Sequence, residues 1–101
     1  MRIEILYVPG CPNYHPAIER LRTILESQSL QAEIRSVPIS SEDQAKALLF
    51  PGSPTIRISD EDIEPLDTVT PSLACRLYPD GSGIPSEESL RSAILSAKRR
   101  E

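Results

Sequence analysis

Cys11, Cys75 and His15 are the residues whose ordinary chemistry lies nearest neutral pH, and the chain has no other cysteine or histidine. Cys11 sits in Leu6-Tyr7-Val8-Pro9-Gly10-Cys11-Pro12-Asn13-Tyr14, which reads as a strand, a turn and the start of a helix. Unpaired N–H groups and the dipole at a helix N-terminus stabilise a thiolate, the nucleophilic form of the thiol. Ligands of open α/β sheets gather beyond the carboxyl ends of parallel strands, and Cys11 falls at such an end. Read alone, Cys11 is either a reactive thiol or a small turn residue. His15 is one helical turn further on. As a cation it would favour the thiolate; otherwise it is an exposed residue at a helix start. Tyr14 either donates a hydrogen bond to the Cys11 sulfur or lines a groove beside it. Asn13 suits a cap or turn better than chemistry.

The elements that must hold these residues follow from periodicity. Residues 2–8 read as a central strand, with Ile3, Ile5 and Tyr7 on one face and Leu6 and Val8 on the other. From Asn13 to Ser27, Ala17, Ile18, Leu21, Ile24, Leu25 and Gln28 form one helical face. Pro12 and Pro16 lie before or within the first turn, where a missing N–H costs little. Residues 30–37 read as a weaker strand near the sheet edge, so the first two strands should be parallel across a right-handed crossover.

Ser40 or Ser41 caps a short helix that buries Ala45, Leu48 and Leu49 and stops at Pro51-Gly52. Gly52 to Ile58 is a strand opened by Pro54. Asp60-Glu61-Asp62 reads as a turn, 63–72 as loop, and Leu73–Tyr78 as the last strand. Ser86 opens a final helix with Leu90, Ala93, Ile94 and Ala97 on its apolar stripe. Lys98, Arg99 and Arg100 lie at its C-terminal end, where the dipole favours cations. The order β-α-β-α-β-β-α predicts an α/β sandwich, with one four-stranded mixed sheet flanked by helices and residues 1–101 as a single domain.

Composition narrows the function classes. The net charge is −4 and only four residues are aromatic. Without a basic stripe or stacking platforms, nucleic acid is not an expected partner. No apolar run approaches the roughly 18 residues of a membrane span, and Met1-Arg2-Ile3-Glu4 reads as a strand and not as a signal peptide. A cytoplasmic location is expected. Two cysteines make no disulfide scaffold, and a four-ligand zinc site would need carboxylates. The acids Asp60, Glu61, Asp62, Glu64 and Asp67 are a solvated turn and loop, or at most a carboxylate cation site.

Three blocks carry a resemblance: Gly10-Cys11-Pro12-Asn13, Gly52-Ser53-Pro54-Thr55 and Cys75-Arg76-Leu77-Tyr78. Over nearly its whole length the chain resembles the thioredoxin-like fold. More closely, it resembles a group of small bacterial thioredoxin-like proteins, some of them selenoproteins and some carrying the name alkylmercury lyase. The resemblance implies an active-site Cys11 after the first strand and a cis Pro54 opening the third strand beside it. It also implies that the backbone of Ser53 pairs with an extended substrate. Pro12, Tyr14, Ser53 and Pro54 would shape the substrate groove, and His15 would tune the thiol.

The chain departs from dithiol thioredoxins at one place. Their Cys-x-x-Cys is here Cys11-Pro12-Asn13-Tyr14, so no second thiol resolves Cys11 within the motif. Cys11 would act as a monothiol relieved by glutathione or another external thiol, or be resolved by Cys75, the only other candidate. Cys75 reads either as a buried structural residue or as one of a thiol pair. Two strand spacings, about 10 Å, lie between the first strand and the last, while a disulfide needs Cα atoms within roughly 7 Å.

The leading expectation is a thiol oxidoreductase that needs no bound cofactor. It would act on a disulfide, a peroxide or another thiol-reactive small molecule, or on an extended peptide. Two other readings stand beside it: a soft-metal protein holding mercury or copper on the two thiols, and a non-catalytic interaction module.

Overall fold

The computed structural model describes residues 1–100. The elements are β1 (Arg2–Tyr7), α1 (Tyr14–Ser27), β2 (Glu33–Pro38), α2 (Glu42–Ala47), β3 (Thr55–Ile58), β4 (Glu61–Asp62) and α3 (Glu87–Arg100). They form an α/β fold with one mixed four-stranded sheet, in the order β2-β1-β3-β4, and three helices. β1 is parallel to β2, with Ile3 opposite Ile34, and antiparallel to β3, with Ile5 opposite Ile56. Among the described residues, no helix is long and apolar enough to cross a membrane.

β1 is covered on both faces because its side chains feed two cores. Ile3 and Ile5 join Ile56 and Ile58 beneath Leu21 and Ile24 of α1 and Leu90 and Ile94 of α3. Leu6 joins Ile39, Ala45 and Phe50 on the other side. Fully burying an aliphatic side chain of this size contributes about 1.5–3 kcal/mol, so β1 is the strand that both layers fix. β2 lies at the sheet edge with mostly exposed side chains.

Two helix starts carry side-chain caps. Ser41 Oγ accepts from the Gln44 N–H at 3.1 Å, and Ser86 Oγ accepts from the Ser89 N–H at 3.0 Å.

Three expectations need correction. The fourth strand is Glu61–Asp62 and not Leu73–Tyr78. Ser59 and Asp60 take φ of 51° and 70°, the two left-handed positions of a tight hairpin turn. Ile58 then pairs with Glu61. Asp60 tolerates this conformation, which is why the acidic run turns and then pairs.

The segment 73–78 makes only an isolated parallel bridge, Cys75 to Ser53. Its alternation is inverted: Arg76 and Tyr78 are buried while Cys75 and Leu77 face solvent. Cys75 is accordingly exposed and not a buried structural thiol. Finally, Leu48 and Leu49 do not join the core. α2 ends at Ala47, Leu49 turns left-handed at φ 51°, and Phe50, completely buried, fills the space instead.

The buried Tyr78 links this segment to β3. Its hydroxyl donates to the Pro54 carbonyl at 2.6 Å. Burial pushes its phenol well above the ordinary value, against the pull of the Arg76 guanidinium and with help from Asp62 and Glu64. A raised folded-state value means the contribution is whole below about pH 10, where the unfolded tyrosine titrates, and is lost as pH rises towards the folded-state value. Urea unfolding should therefore show an alkaline loss of stability approaching 1.4 kcal/mol per pH unit from this one group. Tyr78→Phe should lose that slope and about 1 kcal/mol at neutral pH. Identical slopes in the two proteins would refute the assignment.

Candidate functional site

Cys11 stands at the end of a turn that leaves β1. Its N–H donates to the Val8 carbonyl at 3.0 Å. Pro9 and Gly10 occupy the two central positions, with Gly10 at φ +88°. This is the turn in which proline presets the first corner and glycine supplies the left-handed second. The Cys11 carbonyl then accepts from the Tyr14 N–H at 3.3 Å, and the Asn13 carbonyl from the Ala17 N–H at 3.1 Å. Asn13 is the N-cap residue of α1, but its side chain caps nothing. The thiol therefore sits two residues ahead of the N-cap, half-buried and unpaired.

The Asn13 amide packs instead against Gly83 in the 79–83 turn. A Cβ at Gly83 would fall 2.9 Å from Asn13 Cγ. Gly83→Ala should push the amide aside at about 1–3 kcal/mol, the usual range for overpacking. The backbone amide resonances of residues 11–14 should shift with it. Unmoved resonances would show that the turn does not brace the thiol loop. In the same turn Asp80 accepts from the Ser82 N–H, which lowers its carboxyl below the ordinary value.

The peptide bond Ser53–Pro54 is cis. Ser53 lies directly beside the thiol loop: its Oγ accepts from the Val8 N–H at 3.0 Å. Val8 thus donates to Ser53 through its N–H and accepts from Cys11 through its carbonyl. Ser53 and Pro54 are buried. The backbone of Ser53, expected to offer an edge to an extended substrate, is already occupied by the chain itself. Its N–H donates to the Ala74 carbonyl and its carbonyl accepts from the Arg76 N–H, both at 3.0 Å.

The expected site residues divide across the end of β1. On the β3 side lie Ser53, Pro54 and Cys75, joined to Cys11 through Val8. On the β2 side lies Tyr14, whose ring stacks on Tyr7 with centroids 4.0 Å apart. Its hydroxyl pairs with Ser36 Oγ at 2.5 Å, which anchors Tyr14 to β2. His15 is exposed and sets its ring edge-on to Tyr14, centroids 5.1 Å apart. Pro12 is exposed in the loop between Cys11 and the helix. Among the described residues, no group of three or more histidine, cysteine or carboxylate side chains is placed to hold a metal ion.

Sequence reasoning did not single out Arg76, which is 5% exposed. Its guanidinium reaches Thr55 Oγ1 at 3.1 Å, Asp62 Oδ2 at 2.7 Å and the Glu64 carbonyl at 2.6 Å. It also lies over the Tyr78 ring, 4.6 Å from the centroid. Its place in the Cys75-Arg76-Leu77-Tyr78 block was its sequence signal, and nothing in that block says that Asp62 would pair with it. No family model, curated protein or solved structure matches the chain.

Proposed function

We propose that the chain is a thioredoxin-like thiol oxidoreductase that works through Cys11, in the reducing setting of the cytoplasm. One observation carries this reading: Val8 ties the Cys11 turn to Ser53, whose backbone residues 74 and 76 hold in place, so a half-exposed thiol at a helix entrance stands beside a fixed backbone segment. A mixed four-stranded sheet with β1 and β2 parallel supports this reading.

The Cys11 thiolate attacks one sulfur of a disulfide. The new S–S bond forms as the old one breaks, and the leaving thiolate takes up a proton from solvent. A glutathione-class thiol then attacks the mixed disulfide and returns Cys11 to its reduced form. The substrate is a small disulfide or hydroperoxide and not an extended peptide, because residues 74–76 already fill the Ser53 edge.

Incubation of a Cys75→Ala chain with glutathione disulfide tests this directly. One glutathionyl group should appear on the tryptic peptide covering residues 3–20, which contains Cys11. A chain that stays unmodified while unfolded controls react would overturn the proposal.

A further inference from the structure

Residues 74–76 are fastened more firmly than a single bridge requires. Arg76 holds three oxygen partners and the Tyr78 ring, and Tyr78 holds the Pro54 carbonyl. The Ser53 backbone adds two hydrogen bonds. This machinery fixes the register of one residue, Cys75, directly opposite Ser53, and it leaves the thiol facing solvent. Cys75, Ser53, Val8 and Cys11 thus form a connected row across the end of the sheet.

From this row, and resting on the reading of Cys11 as the nucleophile, we propose that Cys75 is its resolving thiol, a partner built into the chain for the reduction of hydroperoxides. The Cys11 thiolate attacks a peroxide oxygen. The O–O bond breaks, and the released alkoxide or hydroxide takes a proton to leave as alcohol or water. Cys11 is now a sulfenic acid. The Cys75 thiolate attacks the Cys11 sulfur, the S–S bond forms, and the S–O bond breaks. The departing hydroxide takes the proton that Cys75 lost and leaves as water. Two thiols have been oxidised by two electrons and one peroxide reduced.

The step needs movement, because two strand spacings, about 10 Å, separate Val8 from Cys75 and a disulfide closes only within roughly 7 Å between Cα atoms. Cys11 is the side that moves. Pro9, Gly10 and Pro12 around it are exposed, and a Cβ at Gly10 would touch nothing within 4 Å. Cys75, clamped by Arg76, stays in place.

The full chain treated with one equivalent of hydrogen peroxide should lose both free thiols and about 2 Da of mass as a monomer. The peptides covering residues 3–20 and 58–76 should be linked. Cys75→Ser, and independently Cys75→Ala, should instead stop at a Cys11 sulfenic acid that dimedone captures. Dimedone capture on Cys11 in the wild type equal to that in the variants, with Cys75 still free, would overturn the inference and leave Cys11 as a nucleophile. A disulfide between two chains would overturn it as well. Absence of any Cys11 oxidation in all three proteins would overturn this inference, and the nucleophile reading falls with it only if glutathione disulfide also leaves Cys11 unmodified.

Discussion

Cys11→Ser should abolish turnover of a small disulfide by external thiol, a fall on the order of a thousandfold or more. A serine hydroxyl is not ionised near neutral pH and is a poor nucleophile towards sulfur without a general base. No other group takes over. Cys75 is exposed but stands beyond Ser53, away from the α1 entrance. The substitution should leave the fold intact, because Cys11 meets the rest of the protein through backbone hydrogen bonds that serine also makes. Full-rate turnover by a folded Cys11→Ser protein, measured by glutathione oxidation, would remove Cys11 from the chemistry.

The largest effect on stability should come from Arg76. The ion pairs Arg2–Asp60, Arg35–Glu33 and Arg100–Glu61 are exposed and each should contribute at most about 1 kcal/mol. Arg76–Asp62 differs because its side chains are only 4% and 18% exposed. Arg76→Met fills much of the volume but leaves the Asp62 carboxylate sheltered and unpaired, and it strips the Glu64 carbonyl of its donor. Breaking one side of such a pair costs about 3–5 kcal/mol.

The double variant Arg76→Met/Asp62→Leu should recover a large part of that loss, since the stranded charge is gone. Urea unfolding of the single and double variants measures both. A single-variant loss below about 1 kcal/mol would place this pair with the surface ones.

The residues that build β1, α1 and α3 declare themselves in sequence because apolar periodicity and burial agree there. Ala17, Ile18, Leu21, Ile24 and Leu25 form one stripe and are all buried. The segment 73–78 misleads because its alternation is real but its inward positions are Arg76 and Tyr78. A buried arginine is legible only once Asp62, Thr55 and Glu64 are brought round it by the hairpin.

That hairpin was itself hidden. Its turn is Ser59-Asp60, with neither the asparagine nor the glycine that usually marks two left-handed positions. Of the site, the turn around Cys11 and its neighbour Ser53–Pro54 could be read from proline, glycine and cysteine placement. The self-occupied edge of Ser53 could not, because a single bridge between residues 53 and 75 leaves no periodic trace.

The most direct test of Cys11 as the nucleophile compares one residue with itself. The rate of iodoacetamide alkylation at pH 6 is measured for Cys11 in the native chain and in the same chain unfolded in urea, by mass spectrometry of the peptide covering residues 3–20. Folding half-buries this residue, so access alone can only slow the reaction. A faster native rate would therefore come from the surroundings that the fold gives the sulfur. The account predicts that native Cys11 reacts faster than unfolded Cys11. A native rate equal to or below the unfolded one would contradict it.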